Sequence, residues 1–270
     1  MIFVPSIKRN IFFGLLVSGF ITYSMGTCFA QSADSLSAHA KILLSWKDYA
    51  DAVPLLKRAA EMGQPEAQYN YGYCFESGTF VAQNDSIANV WYLQSALGGW
   101  VDAEYKISIR YANGKGIGQD YNEAFRWTKT CAQQGDVSCM WNLITCYKSG
   151  LGTDTSMANV ITWAEILGRK ENPEDLAKSG KITSARLNLA LMYLTGDGVR
   201  KDTLEGYTWL LLVNEGKNDF SFVMQQDVIA KIKECNLVLT DADKITARHE
   251  AERLIGRPLR KLDKLNTVEE

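Results

Sequence analysis

Three segments, GQPEAQYNYGYCFESGTF (63–80), GWVDAEYKISIRYANGKG (99–116) and GDVSCMWNLITCYKSGLG (135–152), superpose when the chain is slid against itself by 36 residues. Gly63, Gly99 and Gly135 head the copies, Ala67, Ala103 and Cys139 follow, and Phe75, Tyr111 and Tyr147 come next. Trp91, Trp127 and Trp163 keep the same spacing downstream. After ten inserted residues a fourth copy, KITSARLNLALMYLTGDG (181–198), restores the pattern and leads to Trp209. A fixed period in this range means a repeat architecture, in which each unit buries its apolar face only against its neighbours.

Within each copy the apolar residues fall at i, i+4 and i+8: Ala67, Tyr71, Phe75; then Ala103, Ile107, Tyr111; then Cys139, Leu143, Tyr147. That is one buried stripe of an α-helix, termed helix A of the unit. Gly78, Gly114, Gly150 and Gly196 follow as expected left-handed C-caps. Asn84, Asp120, Ser156 and Asp202 are competent N-caps for a second helix, helix B. Small residues beside the stripe (Gly72, Ser108, Ala190) let helix B approach, and its Trp is expected to fill the groove between the two helices.

Outward from this core, residues 1–30 read as a signal peptide. Lys8 and Arg9 precede an apolar run, Ile11 to Ile21, and small residues lead to Cys28-Phe29-Ala30. Cleavage after Ala30 would expose Gln31. The alternative is a retained anchor, for which the run is short. No later stretch is apolar enough to span a bilayer. Residues 31–62 form an N-terminal capping hairpin, with Ala38, Ile42 and Leu43 expected on the inner side of one helix and Ala52, Leu55, Leu56, Ala59 and Ala60 on the next. Pro54 sits inside the second helix, where its ring is expected to kink it. The repeats are placed at 63–98, 99–134, 135–180 (with the insertion) and 181–216. Capping helices and a charged tail occupy 217–270, with Phe222, Val223, Val228, Ile229 and Ile232 at helical spacing and a near capping box at Thr240-Asp241-Ala242-Asp243.

Ala67-Gln68-Tyr69-Asn70-Tyr71-Gly72, the loops Gly114-Lys115-Gly116, Gly150-Leu151-Gly152 and Gly196-Asp197-Gly198, and the helix-B Trp together resemble the Sel-one-like repeat family, relatives of the tetratricopeptide repeats. The resemblance covers about residues 50–215. Phe80 stands where the second loop glycine belongs, and Thr153 and Arg110 depart from apolar or small-residue preferences. The resemblance implies an all-α, right-handed α/α solenoid with an interaction surface. It also implies a periplasmic or secreted adaptor, as in bacterial members with a signal peptide. A cysteine-rich subgroup is associated with β-lactam binding or β-lactamase activity, and Cys131 and Cys139 look like that subgroup's disulfide pairing.

The six cysteines support the same pairing on other grounds. Cys131 closes one helix B and Cys139 opens the next helix A, and an export signal would place them in an oxidising compartment. The alternative is two free core thiols. Cys74 and Cys146 are expected to be buried as small apolar residues, and Cys235 is unassigned.

Residues for chemistry are sparse. A formal charge of −2 with mixed signs gives no basic stripe for nucleic acid. His39 and His249 lie in opposite caps, so no histidine cluster forms a metal site or a triad. No Ser of the mature chain has Lys three residues on, and no cofactor motif is present. The acidic residues are expected on solvated faces and at helix N-termini, as with Glu66 and Asp102. The reading is therefore a non-enzymatic, exported scaffold that binds a protein or peptide, with a β-lactam- or peptidoglycan-directed activity as the alternative.

The candidate binding face is the stripe next to the core stripe on helix A. It carries Tyr69, Tyr73 and Glu76, then Tyr105 and Ile109, then Trp141, Thr145 and Lys148, then Leu187 and Leu191, flanked by Asn70, Lys106, Asn142 and Asn188. In related tetratricopeptide hairpins this side is concave. The alternative is that Tyr69, Tyr105 and Trp141 only fill space between neighbouring helices. Mass spectrometry of the exported protein is expected to find an N-terminus at Gln31; a pool that retains Met1 contradicts cleavage.

Overall fold

The computed structural model describes residues 32–216 and 222–261, together with the backbone of every helix below. The signal-peptide assignment and the tail from residue 262 lie outside them. Among the described residues there are helices and no strands: α1 (Ala33–Ser45), α2 (Tyr49–Glu61), α3 (Pro65–Ser77), α4 (Asp85–Leu97), α5 (Val101–Asn113), α6 (Tyr121–Gln133), α7 (Val137–Ser149), α8 (Met157–Gly168), α9 (Leu176–Thr195), α10 (Thr203–Glu215), α11 (Phe222–Val238) and α12 (Asp241–Ile255). Each packs on the next from α1 to α10, and both α11 and α12 pack on α10. The result is an all-α solenoid of stacked hairpins. No helix is long and apolar enough to cross a membrane among the described residues.

Local chemistry sets the helix ends. Asn84, Asp120, Ser156 and Asp202 are the N-caps of α4, α6, α8 and α10, each accepting from a backbone N–H of the first turn. This satisfies donors that have no partner inside the helix. Gly78, Gly114, Gly150 and Gly196 cap the helices A in the left-handed conformation. Thr240 and Asp243 complete a reciprocal capping box on α12.

The core runs along the seam between the two helix layers. Ala67, Ala103, Ile107, Cys139, Leu143, Ala185 and Leu189 are all fully or almost fully buried, as the i, i+4 pattern required. Gly72 lets α4 close in, since a Cβ there would stand 3.1 Å from the Tyr92 ring and from the Ala88 carbonyl oxygen. Cys131 and Cys139 are bonded, with Cα atoms 5.7 Å apart, joining the end of α6 to the start of α7.

Several expectations need correction. Trp127 and Trp209 are buried, but Trp91 and Trp163 are only half-buried. In the first unit the neighbouring Tyr92 takes the enclosed place, and Trp91 packs edge-on against Tyr71 at its margin. In α1 the inner residues are Leu36, Ala40 and Leu43, while Ala38 and Ile42 face solvent, so the side packed on α2 is one residue step round from the expected one. The boundary placed at 180/181 falls within α9, because part of the insertion extends helix A of the fourth unit back to Leu176. Arg186 holds the rest of the insertion: its buried guanidinium donates to the carbonyls of Gly168, Lys170 and Leu212 and to Asn172. Cys146, expected to be buried, is half-buried. Glu104 is no surface acid but a fully buried one on α5, its carboxylate accepting from the Gln134 side chain.

The second glycine of each Gly-x-Gly loop touches the preceding unit. A Cβ on Gly116 would stand 2.5 Å from Asp85 Cβ, on Gly152 1.9 Å from the Tyr121 carbonyl oxygen, and on Gly198 2.7 Å from Met157 Cγ. Asp85, Tyr121 and Met157 each open a helix B. Phe80 occupies the same loop position with φ 57°, and its ring packs on Tyr49, the first residue of α2. The loop shape thus survives the missing glycine, with a ring contact in place of backbone apposition.

Gly152→Ala is expected to cost at least about 2 kcal/mol, combining left-handed strain with a backbone clash. Gly63→Ala, at φ 85° but with nothing within 4 Å, is expected to cost about 1 kcal/mol. Denaturant unfolding of both variants checks the difference, and equal costs would contradict the loop contact.

Candidate functional site

Position 74 of the first unit recurs as Arg110, Cys146 and Met192 in the next three. This helix-A position faces the seam with the preceding unit. Where it carries sulfur, the seam opens into a cleft. One, of about 360 Å³, lies between Leu44, Tyr49, Asn70, Tyr73, Cys74 and Thr79. A second, of about 200 Å³, lies among α5, α6 and α7, with Ile109, Ala112, Ala124, Asn142, Thr145 and Cys146 in its lining. A third, of about 240 Å³, lies among α7, α8 and α9, with Trp141, Ile144, Lys148, Asn188, Leu191 and Met192.

Where the position is Arg110, an ionic cluster occupies the corresponding seam. The buried guanidinium places Nη1 2.6 Å from Asp85 Oδ1 and Nη2 2.8 Å from Glu76 Oε1. Lys106 Nζ lies 3.2 Å from Glu76 Oε2, and the Tyr92 hydroxyl donates to the same oxygen. Lys115 approaches both acids at 3.9 and 3.7 Å. Asn89 Nδ2 and Ser86 Oγ donate to the carbonyls of Lys115 and Gly116, fastening the loop to α4. Burial works against ionising Glu76, but the Tyr92 hydrogen bond, Lys106 and Arg110 outweigh it and hold its carboxyl below the usual range. The Arg110 hydrogen bond likewise holds Asp85 down.

The expected binding residues divide accordingly. Tyr69, Tyr105, Trp141 and Leu187 are partly buried against the core, the Tyr69 ring tilted against Tyr92 with centroids 5.4 Å apart. Glu76 and Lys106, expected to be open, are committed to each other and to the cluster, which is a correction. Tyr73, Thr145, Lys148 and Asn188 are exposed, while Asn70, Ile109 and Asn142 are half-buried. The structure brings Asn70 and Tyr73 into one cleft, Ile109, Asn142 and Thr145 into the next, and Trp141, Lys148, Asn188 and Leu191 into the third. Sequence reasoning missed Arg110, Cys146 and Met192 as the residues that decide whether a seam is open. The signal was available: a charged residue in one copy at a position that is sulfur-bearing in the other three.

Burial pushes the Cys74 thiol up to about 11 and raises the Cys146 thiol. Burial also raises Glu104, against the Gln134 hydrogen bond that lowers it. Asp136 lies beside Cys131 and Cys139, but the two sulfurs are bonded to each other and Asp136 caps α7 through the Cys139 N–H. His39 and His249 are exposed on α1 and α12.

Comparison with known proteins follows this geometry. A Sel1 repeat model matches residues 47–64, 65–100, 101–136 and 183–212. The chain carries Sel1 repeats. The hairpin α7–α8 lies between the matched segments and is built like the rest. A Sel1-like repeat-containing protein of Schizosaccharomyces pombe is 26% identical over 113 residues, which cover 36% of this chain and 17% of that protein. The match thus spans about a sixth of that relative's length. Among solved structures, a Sel1 repeat protein from Oxalobacter formigenes aligns with TM-score 0.58 and 22% identity, over 80% of this chain and 84% of its own, which shows a shared fold. A protective antigen of uropathogenic Escherichia coli with an SLR fold aligns over 90% of this chain and 58% of its own, with TM-score 0.45 and 18% identity. The matched segments and the shared fold give this solenoid Sel1 repeats as its building units.

Arg110→Met would leave Glu76 and Asp85 without their buried cation and is expected to cost about 3 kcal/mol. Both carboxyls are depressed in the folded state, so the stability they contribute is present above their unfolded values, 4.5 and 3.8. It is lost as pH falls through the folded values. Unfolding measured from pH 6 to 3 is expected to show a shallower acid slope for the variant than for the parent.

Proposed function

We propose that the protein is an exported scaffold, periplasmic or secreted, that binds a protein or peptide segment along its helix-A face. The observation that carries this reading is the pair of open clefts beside α7, each lined by residues of the open stripe, with buried Ser108, Ala124 and Thr128 in the first and buried Ile144, Val160, Ala164 and Ala185 in the second. Asn142 borders one cleft and Asn188 the other, and neither side chain has a hydrogen-bond partner among the described residues. Unpaired amides beside largely apolar linings favour a ligand with both a backbone to bond and side chains to bury. Export is supported by the sequence of residues 1–30 and by the disulfide between Cys131 and Cys139.

The test is the triple variant Tyr73→Ala, Asn142→Ala, Lys148→Ala, assayed against a displayed random-peptide library. These side chains support no core, so melting is expected to stay within about 3 °C of the parent. Binding of selected peptides is expected to fall at least about tenfold. Unchanged binding by the folded variant would remove this face as the site.

A further inference from the structure

We propose that the outer face of α4 is a separate docking surface, and that its occupant is one amphipathic α-helix of a partner protein, laid along Ile87, Val90, Leu93 and Leu97. This inference stands apart from the helix-A clefts and does not rest on them.

The starting observation is a departure from the repeat. α4 is the helix B of the first unit, and its four outer positions can be followed through the other helices B. In α2 they are Asp51, Pro54, Lys57 and Glu61, and in α6 they are Glu123, Arg126, Lys129 and Gln133. In α8 and its C-cap they are Asn159, Thr162, Glu165 and Arg169. Among the helices B, only α4 has all four apolar. Ile87, Val90 and Leu97 are 40%, 57% and 69% exposed, and Leu93 is half-buried. The inner side of the same helix buries Ala88, Tyr92 and Ala96. A helix that is apolar on both sides is normally an enclosed one. The one charged residue of α4 is Asp85, at its first position, and Arg110 holds it.

The fold itself shows what covers the outside of a helix B. In α10 the corresponding residues are Glu205, Thr208, Leu211 and Glu215. Both α11 and α12 pack on α10, and Thr208 and Leu211 are buried there. The end residue Glu215 accepts from Arg257 and from the Lys261 N–H, just beyond α12. Each covering helix turns a short apolar stripe inward, Val228, Ile232 and Cys235 on α11 and Ala247 and Ala251 on α12. Where α10 has Glu205 and Glu215, α4 has Ile87 and Leu97. The occupant of α4 therefore needs an uncharged inner face along its whole contact. At about 1.5 Å per residue the stripe from Ile87 to Leu97 spans about 15 Å, which about three turns of a bound helix cover.

Other coverings match the surroundings less well. Four side chains, one of them half-buried, fall well short of the roughly 800 Å² per partner that a stable dimer buries. The neighbouring outer faces carry Asp51, Glu61 and Glu123 against Lys57, Arg126 and Lys129. That balance leaves no cationic surplus to hold anionic headgroups. It suits a protein partner: Lys57 pairs with Glu61 at 3.8 Å and Arg126 with Glu123 at 2.6 Å, so a polar border flanks an apolar strip, as in protein interfaces.

The test selects from a displayed library of amphipathic helical peptides, randomised on one face, against the purified protein. Selected helices are titrated by anisotropy against the parent, the Ile87→Lys, Val90→Glu double variant, Leu97→Lys, and the helix-A variant Tyr73→Ala, Asn142→Ala, Lys148→Ala. The replaced α4 side chains are exposed, so melting is expected to stay within about 3 °C of the parent. Affinity is expected to fall at least about tenfold in both α4 variants and to persist in the helix-A variant. A proline at the centre of the peptide is expected to abolish binding, because it breaks the helix. Should the double variant fail to fold, Leu97→Lys at the end of the stripe gives the same reading. Undiminished binding by a folded α4 variant, tolerance of the proline, or a selection that yields no helix would overturn the proposal. Loss confined to the helix-A variant would overturn it while supporting the helix-A clefts. A dimer in light scattering, or flotation with phosphatidylglycerol vesicles, that disappears in the α4 variants would assign the stripe to a second copy or to lipid, and would overturn it as well.

Discussion

The close approach of each glycine loop to the helix B before it fixes how successive units stack. At Gly152 there is no room for a Cβ against the Tyr121 backbone, and Gly116 and Gly198 make the same contact with Asp85 and Met157. Because the second-glycine position also has positive φ in every copy, conformation and space make the same demand. Repeating one contact at one place turns a set of hairpins into a solenoid. Phe80 shows that the left-handed turn is the essential part, since it keeps the turn and meets Tyr49 through its ring.

Each seam is then reinforced by a different device. The Arg110 cluster closes the one between the first and second units, and the Cys131–Cys139 bond joins the second to the third. Arg186 gathers the carbonyls at the end of α8 and on α10 around the inserted turn. A buried guanidinium is tolerable only with every neighbour arranged to accept from it, so Arg110 and Arg186 each require the surroundings they have. Using ionic closure at one seam and apolar lining at the next makes the helix-A face uneven along its length. That unevenness distinguishes the face around α7 from the rest of the array.

Much of this was legible in the chain. Helix ends were readable because capping is local: Asn84, Asp120, Ser156, Asp202 and the four C-cap glycines act on backbone groups within a few residues of themselves. The core stripe was readable because 3.6-residue periodicity is a property of a single helix. The inner face of α1 was misread because this helix lies outside the 36-residue register, so no repeat copy shows which of its sides meets α2. Glu104 was misplaced on the surface because its carboxylate is met by Gln134, thirty residues away at the C-cap of α6.

The sequence by itself determined the repeat, the two-helix unit, the caps and the cysteine pair. Each of these follows from short-range chemistry or from a period. Only the tertiary structure decided which seams are open. That outcome depends on side chains from three helices and a loop meeting at one point, as Glu76, Asp85, Tyr92, Lys106 and Lys115 do around Arg110. The open stripe was legible as a row of positions. Its division into filler residues, committed ions and cleft-lining groups came from packing, because the same helix position meets a different neighbour in every unit.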